Sequence, residues 1–322
     1  MRIVKRNYFL ITSSILIILL FLLNFCSNTY AIQSDYQLNL TKLTKSNEVV
    51  KNNKDKWKDT ISMEQMPNDW FRGEANKEGA KSKTLYKIFF DKKKSSSELF
   101  FSLFEDFFPE NVSEFLFLDP NFTEAIEKEI DENFDTEYNV WVIYREIWKY
   151  TTKEFNEDAD YSNKKLYILQ NPEEYNDLLK DFNGWIDLIN ETLYQYNFTM
   201  PKVSKEDFLW NLLLKDMVIA SPTKQYLKKL VDKLDLAKKV EISNNELIWE
   251  KKGRKDYIVK IQFGDQGFQT LFLIEDDEGN TIYEIKGSDT RLMIFIIITV
   301  NIAVIILIIV VGFIRWKKIV SS

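Results

Sequence analysis

The 322-residue chain carries 43 basic and 49 acidic residues, a formal net charge of −6, no histidine and one cysteine, Cys26. Without imidazole there is no Ser-His-Asp triad, no Cys-His dyad and no His-ligated zinc or iron, and one thiol supports neither a thiolate zinc site nor an intrachain disulfide. Phosphate-loop, dinucleotide, nucleophile-elbow and aspartic-protease signatures are missing too, so an enzyme would have to use carboxylate, lysine or tyrosine chemistry, and no cofactor is expected.

The chain opens on Arg2, Lys5 and Arg6, continues through an apolar run from Tyr8 to Cys26, and reaches the small residues Thr29 and Ala31. This order predicts a signal peptide over residues 1–31. An uncleaved signal anchor is the alternative, because the run approaches the roughly 20 residues that span a bilayer. At the other end, Leu292 to Ile314 supplies 23 uncharged residues followed by Arg315, Lys317 and Lys318. Residues 291–314 are therefore expected to form a single transmembrane helix, with 315–322 as a cytoplasmic tail and the lipid bilayer as a partner. Residues 32–290 then lie outside the cytoplasm, and their 36 basic and 49 acidic residues give −13, which disfavours nucleic acid. Within the expected span, Asn301 is read as promoting self-association or pairing with a protein partner, since asparagine side chains hydrogen-bond across membrane helices.

Glycine use divides residues 32–290: Gly184 stands alone between Ala80 and Lys252, whereas five glycines fall between Gly253 and Gly287. Glycine is costly inside helices and useful in turns. The reading is an α+β ectodomain with a mainly helical middle and a C-terminal four-stranded antiparallel meander, followed by the C-terminal transmembrane helix. Residues 32–95 read as mixed and mostly extended, with Tyr36, Leu38 and Leu40 alternating, a lysine-rich loop from Asn47 to Lys58 and a strand from Thr84 to Phe90.

Residues 96–238 read as helical. Phe100, Phe101, Phe104, Phe107 and Phe108 fall on one stripe, and Val140, Trp141, Tyr144, Ile147 and Trp148 repeat that spacing, as do Trp185, Leu188, Ile189, Thr192 and Tyr196. Ser204 with Asp207 approximates a capping box, and Ser221-Pro222 opens a further helix. From 239 to 290 the period is two, with strands at Leu247 to Glu250, Tyr257 to Phe263, Phe268 to Ile274 and Thr281 to Ile285. A meander of about 50 residues is marginal alone, which favours one sheet shared with the early strands over two separate units.

Asp158-Ala-Asp160-Tyr-Ser162 begins like a calcium loop, but Asn163 stands at the glycine position and Leu169 where the closing glutamate belongs, so no metal site is assigned. Asp276-Asp277-Glu278-Gly279-Asn280 reads as an acidic hairpin turn before a cation site. A carboxylate pair for glycoside hydrolysis cannot be tied to residues, because the required separation is spatial. The 24 Phe, 15 Tyr and 8 Trp read first as core and second as the lining of a cavity for an apolar ligand. Sequons at Asn39, Asn111, Asn121, Asn190 and Asn197 are candidate glycosylation sites. The expectation is a membrane-anchored extracytoplasmic surface protein with a non-catalytic binding or cell-envelope role. A carrier or sensor of apolar ligands such as lipids is the alternative, and a histidine-free glycan-active enzyme is third.

Overall fold

The structure, a computed structural model, describes residues 36–38, 43–61, 78–108, 133–150, 160–193 and 199–289, together with Ile302, Ile305, Ile306, Ile309 and Val310. Four strands make one half of a sheet: β1 (Leu43–Asn52), β2 (Lys81–Ser95), β3 (Glu137–Tyr150) and β4 (Asp160–Leu169). Five make the other: β5 (Val240–Ser243), β6 (Glu246–Lys252), β7 (Asp256–Phe263), β8 (Gln269–Asp276) and β9 (Thr281–Asp289). Each half is an antiparallel meander, and the two join where β1 lies against β9, with Val49 opposite Ile285. The resulting nine-stranded sheet has the order β4-β3-β2-β1-β9-β8-β7-β6-β5.

Because β4 and β5 are the two edges, the chain between them has to traverse the whole sheet. It does so through α3 (Glu174–Leu193), α4 (Lys205–Leu214) and α5 (Thr223–Lys233), which cover one face on the way. The shorter α1 (Lys54–Thr60) and α2 (Ser96–Leu103) connect β1 to β2 and β2 to β3. The covered face carries the core in cross-strand rows. Trp249, Val259, Ile274 and Tyr283 stand opposite one another from β6 to β9, and Leu247, Ile261, Phe272 and Ile285 form the next row. All eight are buried, each contributing about 1.5 to 3 kcal/mol if left otherwise in water.

The helices bury aromatic groups on top of these rows. On α4 every residue from Phe208 to Leu213 is buried, because Trp210 faces Trp249 and Phe272 on the sheet while Phe208 faces the other helices. Phe104, just after α2, stacks on Phe182 of α3 and on Phe208, with centroids 3.9 and 4.6 Å apart. Ser204 caps α4 by accepting from the Asp207 amide. Before it, the extended residues Met200 to Val203 are clamped by two asparagines two helical turns apart: Asn190 bonds the amide and carbonyl of Met200, and Asn183 those of Val203.

Three expectations are corrected. The helical middle over 96–238 contains β3 and β4 and belongs to the large sheet, so the fold is not a helical block followed by a four-stranded meander. Val140, Trp141, Val142 and Ile143 are all buried, so the start of β3 is covered on both faces and its apolar run imitates helical spacing. The stretch Asn47 to Lys58 is not a loop: it supplies the end of β1 and nearly all of α1. Lastly, against the expected membrane and transmembrane-helix assignments, no helix among the described residues is long and apolar enough to cross a membrane. Most of 291–314, including Asn301, lies outside the described residues.

Candidate functional site

Between the β4 edge, α2 and the C-terminal end of α4 lies a pocket of about 350 Å³. Phe101, Leu103, Ile168, Leu212 and Met217 give it apolar walls, and Arg145, Lys164, Lys165 and Lys215 bring four cations to it. Glu105 is its one carboxylate, and the Ser102 hydroxyl beside it already donates to the Glu98 carbonyl. Two of the lysines are held from outside: Lys215 lies 3.0 Å from Asp106, and Lys165 rests over the ring of Tyr144.

Arg145 is the unusual group. The parity of β3 sends Trp141, Ile143, Arg145 and Ile147 to the covered face, so the strand carries a guanidinium inward, where it is 2 % exposed. One Nη donates to the Lys215 carbonyl at 2.8 Å. Its Nε is enclosed and has no hydrogen-bond partner, and among the described residues no carboxylate pairs with it. A buried donor left without an acceptor costs about 1 to 3 kcal/mol, more when it belongs to a charged group.

Beside Arg145 the covered face continues as a buried polar row. Tyr86 stands opposite Arg145 across β2 and β3, and Lys45 lies one strand further, opposite Thr84. Both reach Asp216, which follows α4 in the left-handed region at φ 59°. Lys45 donates to Asp216 Oδ1 at 2.9 Å, and the Tyr86 hydroxyl donates to Oδ2. Burial pushes the Lys45 ammonium below its ordinary range, opposed by Asp216, and pushes the Tyr86 phenol well above its own. Gly287 leaves the room that Lys45 needs, since a Cβ there would sit 2.6 Å from Lys45 Cε.

A third buried cation, after Arg145 and Lys45, lies on β6. Lys251 Nζ is 4.2 Å from the ring centroids of both Trp210 and Trp249. Burial pushes its ammonium down to about 8, against the pull of Asp207 and Glu206.

Of the residues singled out from the sequence, Asn39, Asn111, Asn121, Asn197 and Asn301 lie outside the described residues. Asn190 sits on α3 and forms the Met200 clamp described above. Asp160 and Ser162 belong to β4 and not to a loop, while Asp158 is outside the described residues. Asp276 closes its hairpin by accepting from the Glu278 and Asn280 amides, and Lys56 of α1 donates to its other oxygen. These bonds occupy the carboxylate within the protein, and among the described residues no group of acidic or cysteine side chains is arranged to hold a metal ion.

Apart from Phe101, named in the aromatic stripe, the pocket residues were not singled out from the sequence. The available signal was Arg145, a lone arginine inside the apolar stretch Val140 to Trp148. No family model, curated protein or solved structure matches the chain.

Proposed function

We propose that the protein binds a small organic anion with an apolar body, and does so without catalysis. The observation that carries this reading is Arg145: a buried guanidinium lining a pocket, with no carboxylate partner among the described residues. A guanidinium presents parallel N–H donors that match a carboxylate or phosphate head, and the aromatic and aliphatic walls suit an attached chain. The volume of about 350 Å³ falls within the usual range for small-molecule sites. The lining offers one carboxylate and a committed serine, which supports binding over a two-carboxylate hydrolysis. Export across a membrane is a further part of the reading, supported by the basic, apolar and small-residue order of residues 1–31.

Calorimetric titration of the full chain with decanoate, decyl phosphate, decanol and inorganic phosphate tests this. Decanoate or decyl phosphate should bind at least about ten-fold more tightly than decanol, and Arg145→Met should remove that preference, as expected for losing a charged hydrogen bond. Decanoate against decyl phosphate separates a planar head from a tetrahedral one, and inorganic phosphate alone tests whether the chain is needed. Equal affinity for the anions and decanol would overturn the reading.

A further inference from the structure

Asp216 directly follows the residue whose carbonyl Arg145 bonds, yet among the described residues it forms no ion pair with Arg145. Arg145 bonds the carbonyl of Lys215, the residue immediately before Asp216, and Tyr86 faces Arg145 from the neighbouring strand. Asp216 instead accepts at Oδ1 from the Lys45 ammonium and at Oδ2 from the Tyr86 hydroxyl, which fixes the orientation of its carboxylate. The left-handed backbone at Asp216, uncommon for a residue with a side chain, turns the carboxylate toward those two donors.

We infer that Lys45 and Tyr86 determine the anion specificity of the pocket by holding Asp216 away from Arg145, so that the guanidinium keeps its charge for the ligand. They are positioning residues: neither lines the pocket, and each acts through Asp216. The inference rests on the anion-binding reading and adds what preserves it. A buried arginine beside a free carboxylate would form an internal ion pair, and external carboxylates or phosphates would then compete with it at close quarters.

Tyr86→Phe isolates the effect, since it removes one hydroxyl and no charge. Freed at Oδ2, Asp216 should swing to Arg145, and decanoate affinity of the full chain should fall about ten-fold, the equivalent of one charged hydrogen bond. Decanol affinity should stay unchanged, because the pocket walls are intact. Adding Asp216→Asn to Tyr86→Phe should restore decanoate binding, because the competing charge is gone. A merely structural role predicts the reverse, since the double variant has lost a further native bond.

Unchanged decanoate affinity in Tyr86→Phe would overturn the inference and leave the anion-binding reading standing. So would a loss that Asp216→Asn fails to rescue. A wild-type protein that treats decanoate and decanol alike overturns both. Should Tyr86→Phe not fold, Asp216→Asn alone decides: it keeps an acceptor for Lys45 and tolerates the left-handed backbone. It should bind decanoate no more weakly than wild type, and weaker binding would contradict the inference.

Discussion

Tyr86 on β2 donates its phenolic hydrogen to the carboxylate of Asp216, 130 residues further along the chain and just beyond α4. This bond ties the end of α4 to the first meander of the sheet, and it shares its acceptor with Lys45 of β1. The same carboxylate therefore serves packing and charge placement, and its removal should be felt in stability as well as in binding.

Asp216→Ala should destabilise the protein by about 3 to 5 kcal/mol, the range for breaking a buried ion pair and leaving the other charge enclosed. Alanine also tolerates the positive φ less well than aspartate does. Urea unfolding at neutral pH measures this. A cost below about 1 kcal/mol, the scale of an exposed ion pair, would show that Lys45 readily finds water.

Asp276 should contribute to acid sensitivity. Donation from Lys56, together with the Asn280 bonds, holds its carboxyl down to about 2, against an ordinary 3.8. The folded pKa is the lower one, so this contribution is present above the ordinary value and is lost as pH falls toward 2. Asp276→Asn should be less stable than wild type at pH 6, with the gap narrowing between pH 4 and 2. A gap that stays constant through that window would contradict the pairing.

Lys251 gives a slope of the same sign in a higher pH window. Its ammonium releases its proton near pH 8 when folded and near 10.5 when unfolded. Between those values the unfolded chain binds more protons, so stability rises with pH, and the burial penalty is present in full below pH 8. Comparing Lys251→Met with wild type, the balance should move in favour of wild type from pH 7 to 10. A difference independent of pH would mean that the faces of Trp210 and Trp249 hold the charged form as well as water does.

Gly267 should not accept a side chain. Its φ is 80°, and a Cβ would fall 1.7 Å from the Ile219 carbonyl oxygen, while its own carbonyl accepts from the Ile219 amide. Gly267→Ala has to part the β7–β8 hairpin from the loop after α4, at a cost above about 4 kcal/mol. Soluble expression and a urea midpoint near that of wild type would refute this.

Legibility followed which face each residue serves. In β7 the buried positions are Tyr257, Val259, Ile261 and Phe263, all apolar or aromatic and every second residue, so the period of two is plain there. In β1 the inward positions are Lys45, Asn47 and Val49, and the first two face the buried polar row instead of an apolar core. That strand therefore carries no hydrophobic alternation and reads as a loop. β3 fails in the opposite sense, since burial on both faces erases the alternation. The site was hidden for a further reason. Lys45 and Asp216 are 171 residues apart, and nothing local marks either as the partner of the other.

The pairing of β1 with β9 places the start of the first strand beside the end of the last, with Lys45 opposite Asp289. The first residues of β1 and the last of β9 are thus immediate neighbours at one end of the ladder. Tension drawn through those ends would load the β1–β9 ladder one hydrogen bond at a time, since in antiparallel pairs these bonds run across the strands. The sheet would open like a zipper along its middle seam, parting the two meanders before either unravels.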